Sequence, residues 1–215
     1  MLRFDLVVLT HHWSLLLARF FSHLSISLWN ANVIRFLRMR KLRNNELGRL
    51  SPEEFAKASK TPLVVVLDNI RSMHNVGSIF RTADCFRAQH IYLCGLTPVP
   101  GHHEIEKTAL GATQTVSWSK EESTVTCLTK LKSKGYRIVA LEQAEGSIDL
   151  REYSVIGPTA LVLGHEVMGV QQEVIGTCDD VIEIKQFGTK HSLNVSVSAG
   201  MALFEIHKGL TTKCE

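Results

Sequence analysis

"KHSLNVSVSAGMALFEI", residues 190–206, supports two incompatible readings. From Asn194 to Met201 small polar residues alternate with apolar ones, as in a half-covered strand, yet the run continues into Ala202, Leu203 and Phe204. The stretch is longer than an ordinary strand, and Ala199, Met201, Ala202, Leu203, Phe204 and Glu205 favour helix. It also follows a strand-like run, "DVIEIK" (180–185), and a loop containing Gly188, and the crossover after a parallel strand is usually helical. A helix starting near Ser192 or Asn194 is therefore expected, buried enough to carry apolar residues all round. The polar cluster before it then stands at a helix N-terminus, where unpaired N–H groups are available to a ligand.

Outward from that helix, short β-branched runs alternate with helical patterns. "TPLVVVLDNI" (61–70) is nearly continuous in apolar residues, as strands buried on both faces of a parallel sheet are. Asn75 can then cap a helix whose stripe is Val76, Ile79, Phe80, Ala83 and Phe86. "HIYLCGL" (90–96), "QTVSWS" (114–119), "YRIVALEQ" (136–143), "TALVLG" (159–164) and "DVIEIK" (180–185) read as strands. A short helix near "EIEKTAL" and one over "EESTVTCLTKLKSK" (121–134), stopped by Gly135, lie between them. The pattern predicts an α/β fold with a mostly parallel sheet of about six strands and helices on both faces.

A chain of 215 residues with 45% hydrophobic and 21% charged content can bury a substantial core in one or two domains. Its five cysteines, Cys85, Cys94, Cys127, Cys178 and Cys214, form no C-x-x-C pair, which argues against a disulfide framework or structural zinc and for a reducing cytoplasm. Residues 1–38 differ from the rest, setting Arg3, Arg19, Arg35 and Arg38 against Asp5 among apolar residues. Their charge-free runs, Leu6 to Ala18 and Phe20 to Ile34, are shorter than the roughly 20 residues a membrane span needs. An amphipathic surface helix, an organellar presequence, or translation that begins at Met39 are the readings left for this segment, the last of them preferred. Residues 39–60 form a basic lead-in, expected to be helical, and 61–210 the main domain. Beyond residue 38 acids and bases balance, so attraction to RNA would come from a local patch, with "RMRKLRNN" (38–45) the candidate through Arg40, Lys41 and Arg43.

Open α/β sheets bind ligands beyond the carboxyl ends of their strands. Three segments there carry unusual chemistry. In "NVGSIFR" (75–81), helical spacing puts Arg81 opposite the apolar stripe, where a guanidinium can grip phosphate. In "LVLGHEVMGV" (161–170), Gly164 ends a buried strand and Glu166 stands at the turn. In "IKQFGTKHSLN" (184–194), cations and small polar groups precede the buried helix. Taken singly, each has a plain alternative: a solvated arginine, ordinary glycine punctuation, a capped surface loop.

In order, however, N-x-G-x-x-x-R, L-V-L-G-x-E-x-x-G and S-L-N-V-S-V resemble the SpoU branch of the SPOUT superfamily, the TrmH-like RNA ribose 2′-O-methyltransferases, over about residues 61–208. The resemblance implies a C-terminal deep trefoil knot that forms the S-adenosylmethionine pocket, and a homodimer with its active site near the subunit boundary. Carried onto this sequence, cofactor contacts come from around Leu141, Gly164, Ile184, Ser192 and Leu193. Arg81 acts on the ribose hydroxyl, Asn75 orients Arg81, and Glu166, Ser192 and Asn194 position ribose or loop. The implied partner is RNA, with no membrane; because no separate RNA-binding domain fits between Met39 and Thr61, tRNA, including a guanosine of its D-loop, is expected before rRNA. Lys185 departs from the proline common there in the family, which leaves the loop less rigid. "GHHEIEK" (101–107) invites a metal, but adjacent histidines do not share an ion easily, and no metal is expected. A nicotinamide-dependent oxidoreductase would need a G-x-G-x-x-G turn that does not follow the first strand. A catalytically silent RNA-binding module is the remaining rival.

Overall fold

The computed structural model describes residues 40–212, so the expectations for residues 1–38 lie outside the described part. The chain divides into two compact units, Met1–Arg49 and Leu50–Glu215. In the first, residues 40–49 are exposed and contain one 3-10 turn, Asn44–Glu46. Two nitrogens of Arg40 donate to the two oxygens of Glu46 at 2.9 and 2.7 Å. A continuous helix over 39–60 does not form: Gly48 has a φ of +57°, and the second unit begins its own short helix, α1 (Pro52–Lys57). Ser51 and Glu54 make a reciprocal capping box at its start.

The second unit contains seven strands: β1 (Thr61–Asp68), β2 (Ala88–Cys94), β3 (Trp118–Glu121), β4 (Arg137–Leu141), β5 (Ile148–Asp149), β6 (Thr159–Leu163) and β7 (Asp180–Glu183). They lie in the order β3-β2-β1-β6-β4-β7-β5, with every pairing parallel. The seventh strand, absent from the expected six, is the two-residue edge strand β5, too short to give a sequence pattern. "QTVSWS" also divides: Ala112–Thr115 is helical, and the strand is the half-exposed run Trp118–Glu121.

Strand alternation sorts the core into two layers. Leu63, Val65 and Leu67 of β1 pack with α2 (Met73–Cys85), α3 (His103–Ala109), α4 (Ala112–Thr115) and α7 (Val195–Thr211). Val64 and Val66 join the other cluster, with α5 (Thr124–Ser133) and α6 (Gln172–Ile175). Burial on both faces explains the unbroken apolar run of β1. Helix α2 is capped by Ser72, whose Oγ accepts from Asn75 N at 3.3 Å; Asn75 lies one turn inside, and its side chain is free for other work. Helix α7 is capped by Asn194, as one of the two expected starts requires, but its apolar residues are not all covered. Ala199, Ala202, Leu203 and Ile206 are buried, whereas Val197, Met201 and Phe204 are 49, 44 and 54% exposed on another face.

Candidate active site

Strands β6, β4 and β7 are neighbours, and the loops that leave their carboxyl ends enclose a cleft of about 350 Å³. Leu141, Gly164, Ile184, Ser192 and Leu193, expected as cofactor contacts, all line it, together with Glu166. The cleft thus joins residues as far apart as Leu141 and Leu193, 52 positions, through adjacent strands and not through sequence proximity.

The loop after β6 is shaped by two glycines. A Cβ on Gly164 would stand 2.2 Å from Val170 N, and one on Gly169, whose φ is +67°, 2.2 Å from a Glu142 oxygen. His165 and Gly169 pair through mutual backbone hydrogen bonds of 3.0 and 2.9 Å. The His165 Nδ1 accepts from Val167 N and Met168 N at 3.0 and 3.2 Å, which places the proton of a neutral ring on Nε2. Glu142 accepts from Val170 N at 2.8 Å, and Gln143 donates to the His191 carbonyl at 3.1 Å. The two residues that follow β4 therefore anchor both flanking loops. The loop after β7 has a further anchor at the position of Lys185, whose Nζ lies 3.7 Å from Asp149 Oδ2. That carboxylate also holds Arg151 at 2.5 Å.

Behind the cleft, one hydrogen-bonded bridge links all three motifs. The Asn75 amide donates to Glu166 Oε1 at 2.9 Å, and its carbonyl oxygen accepts from the Asn194 amide at 3.1 Å. Asn194 Oδ1 in turn accepts from Ser196 N at 2.9 Å and so caps α7. Glu166 also accepts from Arg71 N and Ser72 N at 3.0 and 2.9 Å. Partial burial opposes its ionisation, but the donors from Arg71, Asn75 and Ser72 outweigh that and hold its pKa below the ordinary 4.5. The polar groups of Glu166, Asn75 and Asn194 are thus spent on each other and on backbone, which fixes loop positions.

Arg81 is elsewhere. It is exposed and lines a second concavity, about 710 Å³, between α2, α3 and α7, with Ser78, Lys107 and Phe204 among its walls. Asn75 is therefore not its orienting partner within one chain; the Asn75 side chain is engaged by Glu166 and Asn194. His191 lines the cleft, while His74 is exposed and offers its carbonyl to Ser78 and Thr108. His102 Nδ1 accepts from Glu104 N at 3.3 Å at the start of α3. Among the described residues no group of three or more His, Cys, Asp or Glu side chains is placed to hold a metal ion, and no helix is long and apolar enough to cross a membrane. Sequence reading missed Glu142, Gln143, His165 and Met168 as cleft residues; the one available signal was an acid and an amide directly at the end of a buried strand.

An all-parallel α/β domain with a ligand cleft built from the loops of three neighbouring strands, and with no glycine-rich pyrophosphate turn after β1, defines the class. The chain belongs to the SpoU rRNA Methylase family, whose pattern matches residues 62–204. It is 31% identical over 161 residues to the tRNA (guanosine(18)-2′-O)-methyltransferase of Aquifex aeolicus, a match covering 72% of this chain and 73% of that one. It is also 31% identical over 160 residues to the 23S rRNA (guanosine-2′-O-)-methyltransferase RlmB of Vibrio parahaemolyticus, covering 74% of this chain but only 64% of the relative. A crystal structure of an AdoMet-bound rRNA methyltransferase from Sinorhizobium meliloti superposes with a TM-score of 0.66 at 29% identity, over 75% of this chain and 62% of that one.

Proposed function

We propose that this protein is an S-adenosylmethionine-dependent RNA methyltransferase that modifies a ribose 2′-hydroxyl. The observation that carries the reading is the Glu166–Asn75–Asn194 bridge, which ties three sequence motifs around one cleft. The cleft fits the cofactor in size and chemistry. Leu141, Ile184, Leu193 and Val195 offer apolar walls to a purine, and Ser192, Gln186 and the ends of β4, β6 and β7 offer polar edges. When bound, S-adenosylmethionine supplies a methyl group on a positively charged sulfur, open to in-line attack.

The chain's own contribution is alignment and charge. Leu141, Gly164, Ile184, Ser192 and Leu193 would hold the cofactor. Glu166, Asn75 and Asn194 keep their loops from collapsing into the space, and Ser192 is the hydroxyl left to position a ribose. An arginine stays protonated far above neutral pH, so Arg81 is a poor acceptor for the 2′-hydroxyl proton. Its role is to grip the neighbouring phosphate and stabilise negative charge that develops on the 2′-oxygen.

Arg81 and the cleft face different concavities of one chain, and the exposed stripe Val197, Met201 and Phe204 runs along α7 between Arg81's groove and the cleft loops. A homodimer that covers the stripe accounts for both facts, because a second copy can bring an Arg81 to a cleft. The deep trefoil knot is the companion proposal: it would pass the tail, from the loop after β7 onward, through the loops of β4 and β6 before α7 packs on the β1 layer. A guanosine of tRNA is the substrate proposed, with rRNA as the alternative that the RlmB relative supports. Arg40, Lys41 and Arg43 supply a basic lead-in for RNA, with Lys41 and Arg43 in no ion pair among the described residues and Arg40 shared with Glu46. The proposed compartment is the cytoplasm.

Incubation with methyl-labelled cofactor and total RNA, followed by mapping of the labelled nucleotide, tests the reading. Label on a ribose of one tRNA species is the expected result. Label on a base, or none with cofactor bound, would overturn it, the second outcome leaving the silent binding module.

A further inference from the structure

The groove over α2 and α3 has a feature that the motifs do not account for. Helix α3 approaches α2 so closely that a Cβ on Gly77 would stand 2.1 Å from Thr108 Oγ1 and 2.3 Å from the Ile105 carbonyl. Only glycine permits that approach. It brings Lys107, the residue before Thr108, into the same concavity as Arg81. Both cations are exposed, and neither belongs to an ion pair among the described residues.

Ser78, Thr82, Cys85, Phe86, Thr108, Gly200 and Phe204 complete the lining, and no acidic side chain is among them. The hydroxyls are already committed to backbone: Ser78 donates to the His74 carbonyl at 2.8 Å, Thr82 to Ser78 at 3.0 Å and Thr108 to His74 at 3.1 Å. The acid next to Lys107 in sequence, Glu106, is likewise committed, accepting from Gly101 N at 3.1 Å and from the Thr113 hydroxyl at 2.6 Å. What the groove offers a ligand is therefore two uncompensated positive charges held on helices whose spacing is fixed. A point-charge ammonium beside a forked guanidinium suits consecutive phosphates of a strand, with no donors or acceptors reserved for reading bases.

We propose that Lys107 is a positioning residue that binds an RNA phosphodiester next to the one held by Arg81, so that the strand is gripped at two points around the ribose to be methylated. This rests on the methyltransferase reading above. Two grips fix the direction of the strand as well as its position, and direction decides which 2′-oxygen meets the cofactor.

Lys107→Gln, Lys107→Arg and the wild type, each as the full chain, are titrated with a tRNA transcript over a range of salt concentrations. Cofactor affinity and sedimentation are measured in parallel. For Lys107→Gln the slope of log K against log salt is expected to fall by about 0.7–0.9, one phosphate contact, with several-fold weaker binding in low salt. The Michaelis constant for RNA should rise more than the turnover number falls, with cofactor affinity and oligomeric state as in the wild type. Lys107→Arg should restore the slope. An unchanged slope in Lys107→Gln alongside normal methylation by the wild type would overturn this assignment alone. Loss of the assembly in Lys107→Gln would also overturn it, because the lysine would then serve an interface. Failure of the wild type to bind the cofactor would sink the underlying methyltransferase reading instead.

Discussion

In the cleft beyond β4, β6 and β7, the side chains of Glu142, Gln143, His165 and Glu166 all hydrogen-bond to other parts of the protein. In the groove over α2 and α3, Arg81 and Lys107 carry full charges and take part in no ion pair among the described residues. The two surfaces suit different ligands. Polar groups that satisfy each other hold a shape, and a shape held in advance suits a small ligand bound many times in one pose. Charges left uncompensated store attraction for a partner that arrives with the opposite charge, as a phosphate backbone does.

The largest effect expected from breaking this division is on chemistry. Arg81→Ala should lower methyl incorporation by about 10²–10³-fold, the scale for loss of one preorganised donor to developing negative charge, and single-turnover kinetics will measure it. Next comes the shape of the cleft. Gly164→Ala introduces a Cβ 2.2 Å from Val170 N, a backbone atom that no side-chain motion relieves. The strain of about 1–3 kcal/mol falls on the cleft wall, so cofactor affinity measured by calorimetry should drop by roughly 10–100-fold.

Asn75→Ala removes a donor from Glu166 and an acceptor from Asn194 together, and should cost about 1–3 kcal/mol in urea unfolding. The smallest effect is in acid. Because Glu166 has a folded pKa below its ordinary 4.5, its contribution to stability is complete above that pH and is lost as pH falls through the lower folded value. Denaturation midpoints of Glu166→Gln should lack that part of the acid decline, and should match the wild-type slope if Glu166 is uninvolved.

Much of this arrangement was legible in the residues. β1 announces itself by an unbroken apolar run because both faces are covered, and the three motifs meet because their strands end at one edge of the sheet. What escaped reading has physical causes. β5 is two residues long, and β3 is a polar edge strand whose preceding Ala112–Thr115 turns helical. Asn75 and Ser72 are both good caps, and only the geometry shows that Ser72 caps α2 while Asn75 bridges loops 91 and 119 residues away. The exposed face of α7 was hidden for a different reason. Val197, Met201 and Phe204 are as apolar as their buried neighbours, so composition alone reads the helix as covered all round. Lys107 closes the "GHHEIEK" stretch read only for a metal, and its proposed role follows from the close approach that Gly77 allows.

On the proposed function, the methyl donor's socket and the arginine that acts on RNA are built by separate surfaces of each chain. Equilibrium titration of S-adenosylmethionine onto Arg81→Ala and onto Gly164→Ala tests it most directly. Wild-type affinity in Arg81→Ala with a marked loss in Gly164→Ala is the predicted result. A loss of binding in Arg81→Ala with Gly164→Ala unaffected would contradict it.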